Sequence, residues 1–260
     1  MQTDSNQAST TSSPNITNSF KKGSLLIPCN ERQKFFLLFT SACIFGWVIG
    51  GLFSIEIEQR IQNLLISQFS LETPGLFKTL FKMYFTEVIF ALIFASFQAI
   101  VLKRYISGWL WLLATTVGWN LSKIISDTWI NYISQQASSL YRQPSTSEMI
   151  LFAALSTAAS IFSSLWLGLC QWLVLRRYIT KAWKWIFVPP ITFTFISLLI
   201  WLLSLAQDLL PEVYSPKIAN WGGQGCSALI LGIIPAIALC VAKSKTKNQV
   251  NSTTYGNQSI

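Results

Sequence analysis

Two glutamines stand inside apolar runs that would otherwise read as uninterrupted membrane segments. Gln98 lies in IFASFQAIVLKR (93–104) and Gln171 in LWLGLCQWLVLRR (165–177); each run closes on a basic pair, Lys103-Arg104 or Arg176-Arg177. An amide donates and accepts hydrogen bonds but does not titrate, so in hydrocarbon it serves as an interhelical bond or as a polar contact for a ligand. Groups that move protons are few. Glu87, Asp127, Glu148 and Asp208 lie toward the outer ends of apolar segments, and no spacing among them makes a metal or acid/base pair. The chain has no histidine, which excludes Ser-His and Cys-His nucleophiles, imidazole ligands and histidine proton relays. Its five cysteines, Cys29, Cys43, Cys170, Cys226 and Cys240, form no CxxC pair and read as inert thiols rather than a zinc site or disulfide framework. The expectation is a chain that is not an enzyme, with no catalytic residue, no metal site and no cofactor.

The elements that must position the glutamines are set by composition. Hydrophobic residues make up 52% of the 260 and charged residues 11%, against about a quarter charged in a soluble domain. Such a chain cannot cover itself with polar surface, and its runs of roughly 20 apolar residues match the hydrocarbon core of a bilayer. Spans are expected near 35–55, 83–102, 109–127, 150–175, 183–205 and 224–242. The third is the weakest, since it carries Asn120, Lys123 and Asp127, the last two on one helix face. Glu87 is a candidate to pair with Lys123 across the bundle. Residues 1–34 read as a disordered polar and basic tail and 244–260 as a second polar tail. The first apolar run begins near Phe35, so the first span is expected to act as its own insertion signal.

The net charge of +9 does not point to nucleic acid, because the basic residues gather at segment ends rather than on one soluble face. With the N-terminus inside, thirteen of the nineteen Lys and Arg fall on the inner side. The positive-inside rule therefore predicts an integral membrane protein with both termini cytoplasmic. Lys103, Arg104, Arg176 and Arg177 are then candidate contacts for anionic headgroups. Trp109, Trp111, Trp183 and Trp185 read as an aromatic belt beside them. The first outer segment, 56–82, has apolar residues at helical spacing and reads either as an interfacial helix or as a plain loop.

Sliding the chain against itself shows a repeat. At an offset of 73, FQAIVLKRYI falls on CQWLVLRRYI, matching Gln98 to Gln171, Arg104 to Arg177 and Tyr105 to Tyr178. Trp109 and Trp111 correspond to Trp183 and Trp185, and AxxxGW at 42–47 to AxxxGW at 114–119. LILG at 229–232 matches LWLG at 165–168, with Pro235 in the place of Gln171. The fold class is therefore an all-α membrane protein with six transmembrane helices arranged as three hairpins of one orientation. Ser156, Ser160, Ser164 and Gly168, each four apart, form a small-residue ridge for close helix packing. Pro189 and Pro190 interrupt the fifth span at the depth of Gln171. They are expected to free the carbonyls of Trp185 and Ile186, with the Gln171 amide capping one and Gln98 bonding a hydroxyl at Thr115 or Thr116.

The run GLCQWLVLRRYITKAWKW, its partial copy FQAIVLKRYISGWLW and the AxxxGW spans resemble a group of cyanobacterial multi-pass membrane proteins with repeated GLxQWLxLRR hairpins. The resemblance covers about 35–243 and implies no reaction. The function expected is a non-enzymatic membrane scaffold or assembly component, with membrane-protein partners or an oligomer. The alternative is a small-solute transporter or channel using the intramembrane glutamines and the broken fifth helix.

Overall fold

Where no water reaches the backbone, a long apolar segment satisfies its N–H and C=O groups by winding into a helix. The computed structural model describes residues 25–68, 75–139, 145–207 and 222–245. Among these the helices are α1 (Arg32–Gln68), α2 (Gly75–Leu102), α3 (Gly108–Ser138), α4 (Thr146–Leu175), α5 (Val188–Gln207) and α6 (Gly223–Val241). The described residues contain no strand beyond two isolated bridges, and the protein is an all-α membrane protein. Five helices are long and apolar enough to cross a bilayer. The exception is α3, the helix that carries Lys123 and Asp127; their side chains pair at 3.0 Å within it.

Several boundaries differ from those read in the sequence. The segment after residue 55 is neither a loop nor a separate interfacial helix. Instead α1 runs on to Gln68, and α2 starts at Gly75. At about 1.5 Å per residue, the 37 residues of α1 extend roughly 55 Å, well past a hydrocarbon core of about 30 Å. With 20 and 19 residues, α5 and α6 are only as long as that core. Residues 25–34 are not tail either: Ile27 is fully buried, Cys29–Glu31 forms a 3-10 turn, and α1 begins at Arg32. Residues 1–24 and 246–260 lie outside the described residues.

The helices close a ring. Each packs on its neighbours in chain order, and α6 packs on α1. The pairs α1–α2, α3–α4 and α5–α6 are hairpins whose first helices all start at one end, here called the basic end. Three matching contacts tie each hairpin's exit to its own entrance there. The Tyr105 hydroxyl donates to Glu31 at 2.9 Å, and Arg104 pairs with the other oxygen of that carboxylate at 2.9 Å. One hairpin later, the Ser107 backbone N–H donates to the Tyr178 hydroxyl at 3.2 Å. In the last hairpin, the Thr180 N–H donates to the Lys243 carbonyl at 2.8 Å. The chain after α6 then bonds on both sides, Lys245 N–H to the Tyr178 carbonyl and the Leu26 N–H to the Ala242 carbonyl, so the two described chain ends meet.

Within the ring the helices approach where glycine removes a side chain. A Cβ on Gly168 would collide with the Ile186 carbonyl oxygen, and one on Gly232 would sit 2.9 Å from the Thr40 Cα. Real Cβ contacts do not reach such distances, so α4 meets the chain ahead of α5, and α6 meets α1, at a separation only glycine permits.

Candidate functional site

The side chains of Gln98 and Gln171 are buried and face the middle of the ring. The Trp185 indole N–H donates to the Gln171 amide oxygen at 2.9 Å, while the amide NH2 donates to the Thr115 hydroxyl at 3.1 Å. One register earlier, the Trp111 indole N–H donates to the Gln98 oxygen at 3.0 Å, and the Gln98 NH2 points at the Cys43 sulfur at 3.5 Å. Both amides thus bond the first helix of their own hairpin on one side and the entry of the next hairpin on the other. Each accepts from an indole, a group with a single donor and no alternative use for it in hydrocarbon.

These contacts replace those expected from the prolines. The chain ahead of Pro189 winds as a 3-10 helix over Ala182–Phe187, and the Val188 N–H bonds the Trp185 carbonyl. Pro189 and Pro190 then occupy the first turn of α5, where a helix has no use for their missing N–H groups. The fifth helix is therefore not broken, and Gln171 meets the Trp185 indole rather than its carbonyl. The Ile186 carbonyl is the one pressed against Gly168. Thr115 bonds Gln171, not Gln98, and the Thr116 hydroxyl has no partner among the described residues.

A second tier of indoles lies two helical turns farther from the basic end. Trp119 donates to Glu87 at 3.4 Å and Trp47 to Gln224 at 3.0 Å. Glu87 therefore answers an indole, while Lys123 answers Asp127. Trp47 and Trp119 contact each other edge to face, with ring centroids 6.2 Å apart, and Trp119 contacts Phe193 at the same spacing. The joint between the first two hairpins carries both tiers. The joint between the second and third has the Gln171–Trp185 bond, with Phe193 in the place of a second indole. The joint that closes the ring keeps Trp47–Gln224 but has Phe39 and Pro235 where the other joints have an indole and a glutamine. Donor and acceptor are lost together there, so neither is left facing a missing partner at that tier.

Fifteen residues drawn from the three hairpins, among them Gln98, Gln171, Phe39, Pro189 and Pro235, line a central cavity of about 30 Å³. That is room for about one water molecule. Among the described residues no group of three or more Cys, Asp or Glu is placed to hold a metal ion.

The remaining sequence candidates separate. Gly168 and Ser164 are buried along α4, and the Ser164 hydroxyl bonds back to the Ile161 carbonyl at 2.6 Å. Ser160, on the same ridge, bonds Ser126 of α3 at 3.1 Å. Pro189 is buried and Pro190 half-buried. Lys103, Arg104, Arg176 and Arg177 are exposed at the basic end; the Arg176 guanidinium lies over the Trp172 ring, 5.6 Å from its centroid. Of the four tryptophans assigned to a belt, Trp109 (67% exposed) and Trp183 (54%) face outward, whereas Trp111 (1%) and Trp185 (6%) are core. Sequence reasoning missed these two as the partners of the glutamines, although the signal was present. Residues two apart on a helix point to nearly opposite sides, so a Trp-x-Trp pair cannot lie wholly in one belt. No family model, curated protein or solved structure matches the chain.

Proposed function

We propose that this chain is a non-enzymatic integral membrane protein that acts as a scaffold or assembly component, built by repetition of one helical hairpin. The observation that carries the reading is that both intramembrane amides are engaged in bonds between helices. Gln98 and Gln171 each accept from an indole and direct their NH2 at a neighbouring helix, around a cavity with room for about one water. Such bonds tie helix to helix, a common use of an amide inside a bilayer. The basic end faces the cytoplasm by the positive-inside rule, and the exposed Lys103, Arg104, Arg176 and Arg177 contact anionic headgroups there. Its membrane is a bacterial plasma membrane or thylakoid, a reading supported by the resemblance to cyanobacterial multi-pass proteins.

The rival reading, a small-solute transporter, has one observation in its favour: the cavity lies at the centre of a closed six-helix ring and takes residues from every helix. Two measurements separate the readings. Affinity isolation of the tagged full chain in mild detergent is expected to recover a stoichiometric membrane partner or a defined oligomer, and liposomes containing the chain are expected to show no solute flux above empty ones. Flux that is abolished by Gln171→Leu, from a chain isolated alone and monomeric, reverses the assignment.

A further inference from the structure

We propose that the groove between α3 and α4 on the outside of the ring seats one phospholipid acyl chain from the leaflet opposite the basic end. The groove has a volume of about 560 Å³ and an almost wholly apolar lining. Its floor is Ala159 and Ser163, on the face of α4 next to the ridge that packs on α3. Its walls are Phe162 and Trp166 on one side and Trp129 and Tyr132 on the other.

Three features select an acyl chain over a helix. The first is length: along α4 the groove runs from Trp166 to Leu155, about 16 Å at the helical rise, which is half of a hydrocarbon core of about 30 Å. The second is depth. Trp129 lies 21 residues from the start of α3, about 31 Å from the basic end, so Trp129 and Tyr132 stand at the far interface, where Trp and Tyr concentrate. Their rings meet edge to face at 6.3 Å and form the mouth. The third is width. Helices pair in membranes by bringing small residues together, but here Phe162, 69% exposed, and the half-exposed Trp129 stand above the small floor and hold a second helix away from it. A flexible hydrocarbon chain passes between them.

The inference depends only on the membrane embedding, not on the scaffold role. Its test uses the full chain in phosphatidylglycerol vesicles doped with a phospholipid carrying a diazirine on one acyl chain, with photolabelled residues mapped by mass spectrometry. Label is expected to concentrate on Phe162 and on the floor at Ala159 over Leu198 and Leu202 on α5, which are about as exposed as Phe162. Filling the floor with Ala159→Leu or Ser163→Leu is expected to lower groove labelling about tenfold, the factor for roughly 1.4 kcal/mol of binding, while leaving α5 labelling unchanged. If neither variant folds, Phe162→Ala, which removes a wall, is expected to lower the labelling instead. Groove labelling no higher than on α5, or unchanged in the variants that fold, overturns the proposal. So does disulfide cross-linking of two copies through Phe162→Cys, because a second chain then covers the site.

Discussion

The Trp185 indole and the Gln171 amide, 14 residues apart in the chain, meet at 2.9 Å and join the second hairpin to the third. Gln171→Leu leaves both the indole N–H and the Thr115 hydroxyl without this partner in a buried setting. It is expected to cost about 1–3 kcal/mol, read as a lower midpoint of thermal unfolding in detergent. The Gln171→Leu/Trp185→Phe double variant is expected to lose less than the sum of the single losses, because the closing joint, with Phe39 and Pro235, already does without both groups. Additive losses would mean that the two side chains contribute by packing alone.

Gly168 and Gly51 give opposite expectations for the same substitution. Gly168→Ala drives a methyl group into the Ile186 carbonyl, and the overpacking is expected to cost about 1–3 kcal/mol or to prevent assembly. At Gly51 nothing lies within 4 Å of an added Cβ, so Gly51→Ala is expected to stabilise α1 by about 0.5–1 kcal/mol through helix propensity. Paired melting curves of the two variants decide it, and equal effects would contradict the close approach at Gly168.

Two buried hydroxyls, of Thr40 and Thr116, have no hydrogen-bond partner among the described residues. Each holds desolvated oxygen that valine lacks at nearly the same shape. Thr40→Val and Thr116→Val are therefore each expected to raise stability by about 1 kcal/mol. A loss of stability from either would reveal a bonded hydroxyl.

Burial first, and its bond to Glu31 second, raise the pKa of the Tyr105 phenol above its ordinary value. A group whose folded pKa exceeds its unfolded one stabilises fully below the unfolded value, about 10 for tyrosine, and loses that contribution as pH climbs through the folded value. Wild type is thus expected to be more stable than Tyr105→Phe by about 1 kcal/mol at pH 8, the worth of one hydrogen bond. The gap should close as pH rises above 10. A gap that stays constant through that window would show that the hydroxyl contributes nothing to the latch at Glu31.

Much of this architecture was legible because its signals are linear. Apolar run length located the six helices, and the register of Gln98 with Gln171 pointed to amides in equivalent places. What was not legible depends on which way a side chain turns and on where a helix ends. The phase of Trp111 and Trp185 decides whether an indole meets lipid or an amide, and aromatic-belt statistics average over that phase. Pro189 and Pro190 read as a break because a proline inside a helix frees carbonyls, whereas α5 begins at Val188 and the Trp185 carbonyl accepts from the Val188 N–H instead. Glu31 belonged to a stretch too polar to suggest order, and its structure comes from Arg104 and Tyr105, more than 70 residues away.

Leu25 and Lys243 pair across the last gap of the ring at the same end as the turn Lys103–Ser107. The peptide bond that joins the first and second hairpins is therefore no more privileged than the seam where the two described ends, near residues 25 and 245, meet. Cut within that turn and tied from Lys245 to Leu25 by a short linker, the polypeptide would begin with α3 in the orientation α1 has now. The order in which the hairpins leave the translocon would then be a matter of ancestry, and the ring itself indifferent to where its chain starts.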